Sequence, residues 1–184
     1  MRDIHILGIS GSLRKGSYNT AALRVAQELA PDGVKIALAD ISAIPLYNED
    51  VRLAGLPQSV VTLGEWITSA DAVLIATPEY NYSIPGVLKN TIDWISKVPN
   101  LPFSGKPVAM LGASQGAIGT ARSQYDLRKV LVSQNAFVMN QPEIFIALAQ
   151  TRFDADGHLL DEKARELIAK QVVALKEWAL RLRD

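Results

Sequence analysis

The sequence predicts an α/β fold, a parallel sheet of five strands with helices on both faces, in one domain over residues 1–184. Three observations predict it. Short apolar runs alternate five times with longer stretches of helical period. Gly and Pro mark the boundaries between them. The chain is 48% apolar and 21% charged, enough for a core between packed layers, and no repeat, low-complexity tract or linker divides it.

The first strand is the buried run Ile4 to Ile9, broken by Gly11. Asn19 to Ala30 has helical period, with Ala22, Val25, Ala26 and Leu29 on one face, and Pro31-Asp32-Gly33 ends it. Val34 to Ala39 is the second strand. Pro57 to Ser69 is a helix with Val60, Val61, Leu63, Gly64 and Ile67 inward. Ala72 to Ala76 is the third strand and stops at Pro78. Pro85 opens the next helix at its first turn, where a missing N–H costs nothing. That helix carries Val87, Leu88, Ile92 and Ile95 and is expected to run to about Pro99. Pro107 to Leu111 is the fourth strand and Ala121 to Ser133 a helix. Ala136 to Met139 and Glu143 to Ala149 share the fifth strand position, and Phe153 to Gly157 is a loop. Asp161 to Leu182 closes the chain as a helix with Ala164, Leu167, Ile168, Val172, Leu175 and Trp178 as its core stripe. Right-handed crossovers leave few topologies, and the flavodoxin-like order 2-1-3-4-5, a three-layer sandwich, fits five such units best.

Charge and composition exclude several functions. Lys plus Arg equal Asp plus Glu, so no basic field recommends nucleic acid or an anionic membrane. Cysteine is absent, which removes disulfides, thiolate chemistry and cysteine-held metal together. Redox work would need a bound cofactor. No apolar run is long enough to span a membrane. The opening residues enter a strand pattern with no signal-peptide core, so the expected compartment is the cytoplasm. In that compartment the sequon Asn81-Tyr82-Ser83 carries no meaning. His5 and His158 are expected to be structural or surface residues.

Ligands of such sheets bind beyond the carboxyl ends of the strands, near the switch point between strands 1 and 3. Three unusual loops fall there. Ser10 to Asn19 joins a buried strand to a helix N-terminus, whose free N–H groups and positive dipole end suit a phosphate. Ser12, Ser17 and Asn19 add neutral donors, Arg14 a charged fork, and Gly11 and Gly16 allow tight turns. The plainer reading makes Ser17 or Asn19 an ordinary N-cap. The loop is not a nucleotide P-loop. Gly11 and Gly16 have the right spacing, but Ser17 stands in the lysine position and Tyr18 in the Ser/Thr position. The dinucleotide fingerprint fails as well, because Ser10 occupies its second glycine position. Hydroxyls in place of lysine and magnesium favour a monophosphate ester.

The second loop, Thr77 to Gly86, packs two prolines, two tyrosines and a glycine after a buried strand. Prolines stiffen it, Tyr80 and Tyr82 can flank a flat ring, and the remaining amides can bond ring heteroatoms. It also reads as a rigid connection with surface tyrosines. The third, Ala113 to Gly119, offers glycines for close approach with Ser114 and Gln115 for a ring edge, or is a plain turn.

These residues together resemble a known family. Gly11-Ser12-Leu13-Arg14-Lys15-Gly16-Ser17-Tyr18-Asn19, Pro45-Leu46-Tyr47-Asn48-Glu49-Asp50 and Pro78-Glu79-Tyr80-Asn81-Tyr82-Ser83-Ile84-Pro85-Gly86, followed by Leu88-Lys89-Asn90 and Asp93-Trp94, are similar to the NAD(P)H-dependent FMN reductases. That family includes bacterial chromate and quinone reductases and small azoreductases. The resemblance implies FMN as cofactor, with Ser12, Arg14, Ser17 and Asn19 on its phosphate. It implies Pro78, Glu79, Tyr80 and Asn81 along the isoalloxazine, and Ser114, Gln115 and Gly116 on its pyrimidine side. It implies NAD(P)H as co-substrate and ping-pong hydride transfer to quinones, azo compounds, free flavin or chromate. The flavin carries the chemistry, so no catalytic side chain is required; Glu79 is a tempting acid whose role can equally be positional. The family further implies homodimers or homotetramers with the Pro45–Asp50 loop reaching the partner's flavin site. One departure stands out: Thr120 follows Gly119 where the family often has a second glycine. The competing readings are a non-enzymatic flavodoxin-type carrier, against which the neutral surface argues, an FMN-binding regulatory module, and a nucleotide hydrolase, opposed by the missing lysine.

Overall fold

The computed structural model describes residues 3–183. Strands β1 (Ile4–Ser10), β2 (Val34–Ala39), β3 (Ala72–Ala76) and β4 (Pro107–Ala113) alternate with helices α1 (Tyr18–Glu28), α2 (Glu49–Ala54), α3 (Gln58–Ser69), α4 (Gly86–Ile95) and α5 (Ala121–Ser133). Two short strands, β5 (Phe137–Val138) and β6 (Ile144–Ile146), precede α6 (Glu162–Arg181). The sheet is parallel in the order β2-β1-β3-β4-β5, and β6 also pairs with β4, so two pieces share the fifth position as the sequence predicts.

Side chains alternate across a strand, so each strand feeds two cores. Ile4, Ile6, Leu74, Ala76 and Leu111 pack under α1 and α6, against Leu23, Ala26, Ile168, Val172 and Leu175. Leu7, Ile9, Val73, Ile75, Val108 and Met110 face the other way, under Val60, Leu63 and Ile67 of α3, Ile92 and Trp94 of α4, and Leu127 and Leu131 of α5. The result is three layers. At about 25 cal/mol per Å², burying each of the Val, Leu, Ile and Met side chains among them contributes about 1.5–3 kcal/mol before conformational entropy is subtracted.

Most predicted boundaries agree within the fraying of helix ends. One boundary, one helix and one core position differ for physical reasons. α4 ends at Ile95, not near Pro99, because the Ser96 and Lys97 amides bond Ile92 and Trp94 in a closing turn. Helix α2 is too short to show a period, although Asn48 caps it by accepting the Asp50 amide and Gly55 stops it at φ 137°. On α6, Trp178 lies at the edge of the stripe with its indole N–H on the Phe137 carbonyl, while Gln171 takes a core position and donates to the Met110 and Pro142 carbonyls.

Candidate flavin site

The loops after β1, β3 and β4 meet at the carboxyl end of the sheet around a cavity of about 690 Å³. Nine of the eleven predicted site residues line it: Ser12, Arg14, Ser17, Asn19, Glu79, Tyr80, Ser114, Gln115 and Gly116. Pro78 and Asn81 do not. Tyr18, Tyr82, Ile118 and Arg122 line it without having been predicted as site residues, although Tyr82 was read as a ring flank.

The first wall is a loop with unspent donors. Ser17 does cap α1, its hydroxyl accepting the Thr20 amide at 3.2 Å, and its own O–H remains free to donate. The backbone amides of Lys15, Gly16, Tyr18 and Asn19 have no partner among the described residues. Ser12 bends the loop by accepting the Arg14 amide at 3.4 Å. The Arg14 guanidinium lies 5.1 Å from the Tyr18 ring centroid and forms no ion pair among the described residues. Asn19 is different from the prediction. It is buried, donates to the Ala113 carbonyl and accepts the Ala113 amide, both at 2.9 Å, and so ties α1 to β4 rather than offering a free donor.

The second wall is rigid. Tyr80 and Ser83 exchange backbone hydrogen bonds at 3.0 Å in both directions around Asn81 and Tyr82. Both turn residues have positive φ, 50° and 69°, as a two-residue hairpin turn requires. Asn81 thus forms the turn, and Pro78 is buried beneath it. The Glu79 carboxylate, 5% exposed, accepts the Arg122 and Ser123 amides at 3.1 and 3.3 Å and pairs with the Arg122 guanidinium. Thr120 gives α5 no side-chain cap, so Glu79 caps it from 43 residues away and satisfies orphan amides of its first turn. Arg122 in turn lies over the Tyr82 ring, 3.6 Å from its centroid. Glu79 is thus committed to the start of α5 and to Arg122, and no sequence spacing announced these partners.

The third wall is pinned to the sheet. Ser114 donates its amide to Ile146 and its hydroxyl to Gly119. Gly119 has φ 62°, and a Cβ there would come within 2.9 Å of Phe145, so only glycine fits. Thr120 is fully buried, and its side chain fills the space beside Gly112, where an added Cβ would meet it at 2.0 Å. The departure from the two-glycine pattern is therefore absorbed by Gly112.

A monophosphate end and a flat ring fit this donor set: free amides, hydroxyls and one unpaired guanidinium at one end, tyrosines and glycine-rich backbone at the other. A parallel sheet in this order with such a cavity at the switch point between β1 and β3 defines a flavodoxin-like flavin-binding protein. The family model for NADPH-dependent FMN reductase matches residues 4–151, and the chain belongs to that family. It is 61% identical over 181 residues, 98% of both chains, to an NAD(P)H-dependent FMN reductase of Pseudomonas aeruginosa. It is 43% identical over 183 residues to a quinone reductase of Escherichia coli, covering 98% of this chain and 97% of the relative. Among solved structures, FerB, a flavoenzyme NAD(P)H:(acceptor) oxidoreductase from Paracoccus denitrificans, superposes with a TM-score of 0.86 at 37% identity, covering 97% and 98% of the two chains.

Proposed function

We propose that this protein oxidises NAD(P)H and passes the electrons through bound FMN to a small acceptor such as a quinone. Free flavin, azo compounds and metal oxyanions such as chromate are further acceptors a flat, open ring face admits. The observation that carries this reading is the pairing of a donor-rich loop with an aromatic, rigid one across a single cavity in a chain of this family. FMN supplies the two-electron relay when bound. Ser12, Arg14, Ser17 and the amides at the start of α1 hold its phosphate. Tyr80 and the backbone of Ser114 to Gly119 flank its ring, and Glu79 and Arg122 hold that side in place. No side chain acts as nucleophile.

The protein works as a homo-oligomer in the cytoplasm. Leu46 and Leu53 are 85% and 70% exposed on the segment joining β2 to α3. That segment is held firmly, with Asn90 and Trp94 both donating to the Pro45 carbonyl at 2.8 Å. Apolar side chains presented by an anchored segment suit a partner surface. No helix among the described residues is long and apolar enough to cross a membrane.

The test is direct. Apoprotein given FMN should turn yellow and oxidise NADH or NADPH steadily in the presence of a quinone. Uptake of FMN without turnover would assign the protein to electron carriage instead, and failure to take up FMN would remove the flavin reading altogether.

A further inference from the structure

A second cleft, of about 570 Å³, lies on the β2 side of the Ser10–Asn19 loop, between α1 and the end of β2. It shares Ser12 and Arg14 with the flavin cavity, so one loop borders both. Arg14, Lys15 and Arg24 line it, and the side chains of Lys15 and Arg24 have no hydrogen bond or ion pair among the described residues. One carboxylate opposes them. Asp40, directly after β2, accepts the Ser42 amide at 2.8 Å, which holds its carboxyl below the usual carboxylate range and keeps it charged. Leu13 and Leu38 give the cleft an apolar surface.

With Arg14 committed to the flavin phosphate, Lys15 and Arg24 remain against the one carboxylate, and that balance still favours an anion. Their arrangement favours a particular one. In sheets that bind dinucleotides, an acidic side chain at the end of the second strand takes ribose hydroxyls, and a nearby arginine takes a phosphate carried on that ribose. Asp40 holds the first of those places here, directly after β2, and Arg24 of α1 lines the same cleft beside a phosphate loop.

We propose that this cleft is a second phosphate subsite, which takes an adenosine phosphate beyond the end of the flavin phosphate. Two molecules carry that chemistry: NADPH through its 2′-phosphoadenosine, and FAD through its adenylate. Which of them uses the cleft rests on the redox reading above; the binding of the adenosine phosphate does not.

The experiment is calorimetric titration of the FMN-treated protein with adenosine 2′,5′-bisphosphate and with 5′-AMP, comparing wild type with Arg24→Ala. Arg24 is exposed and lines only the second cleft, so the variant should keep its thermal transition and its FMN content. Losing charge-assisted phosphate contacts should weaken binding about ten- to a hundredfold. Two further arms identify the source. A rise in KM for NADPH, with KM for NADH and kcat unchanged, assigns the subsite to the pyridine nucleotide. A loss of affinity for FAD, with that for FMN unchanged, assigns it to the flavin. Wild-type protein that binds neither adenosine phosphate, or an Arg24→Ala variant that binds them as well as wild type does, overturns the proposal. Protein that binds them but takes up no FMN overturns the flavin reading and leaves this one standing.

Discussion

The loops after β1 and β3 border one cavity but are built in opposite ways. The Ser10–Asn19 loop leaves its polar groups unspent: four amides and a guanidinium wait for a partner. The Thr77–Gly86 loop spends nearly all of its own. Its hairpin closes on itself, and Glu79 is committed to the start of α5 and to Arg122. An anion site needs free donors, because a phosphate brings many acceptors and no amides of its own. A ring site needs a fixed gap, because a flat ring gains from stacking only if its walls do not move. The first loop therefore binds by charge and hydrogen bonds, the second by shape. Substituting a free donor of the first, such as Arg14, should change ligand affinity and leave folding alone; substitutions in the second should cost stability.

The largest expected effect is Arg14→Ala. A charge-assisted phosphate contact contributes about 1.5–3 kcal/mol, so the Kd for FMN should rise about ten- to a hundredfold. The apoprotein melting temperature should not move, since the side chain is exposed and forms no ion pair among the described residues. Fluorescence titration and a thermal scan of the same sample check both halves.

Glu79→Ala should do the reverse. It removes the cap of α5 and the partner of Arg122, and caps contribute about 0.5–2 kcal/mol. Urea denaturation should show a loss in that range. An unchanged midpoint would make the second wall no more rigid than the first.

Asn81→Leu is smaller again. The family resemblance implies Asn81 along the ring; it sits at φ 50° in the hairpin turn and does not line the cavity, and we predict that its main role is structural. A branched side chain there costs about 1 kcal/mol, and Asn81→Gly should cost less. A loss of FMN affinity exceeding the loss of stability in Asn81→Leu would restore the ring-lining role.

The smallest effect concerns the segment outside both loops. Glu49 accepts from Arg52 and from the Tyr47 hydroxyl, and these hold its carboxyl down from 4.5 to about 2. A carboxyl lowered in the folded state stabilises above its unfolded value and loses that contribution as pH falls through its folded value. The melting temperature of the wild type should therefore exceed that of Glu49→Gln above about pH 4.5 and converge with it by about pH 2. The gap should be slight, because the group is exposed and screened by solvent.

Much of this was legible in the sequence because it is local. Alternating runs named the strands, periodic faces named the helices, and the Ser10–Asn19 loop showed its donors as a cluster. What escaped is long-range. Nothing near Glu79 reveals that it caps a helix starting at Ala121, and nothing near Arg122 reveals the Tyr82 ring beneath it. Asn19 looked like a free donor because the sequence does not show that Ala113 lies beside it. Gln171 sits in a helical stripe as a polar exception, and only the Met110 and Pro142 carbonyls explain it. Helix α2 is a failure of length, since its six residues make under two turns.

The claim at the centre is that the turn after β1 is an anchor for phosphate. Riboflavin carries the same ring as FMN and lacks only that group, so the ratio of their dissociation constants isolates it. If several charge-assisted hydrogen bonds are made there, riboflavin should bind at least about a hundredfold more weakly than FMN, and Arg14→Ala should narrow the ratio. Equal affinities for the two flavins would contradict the account.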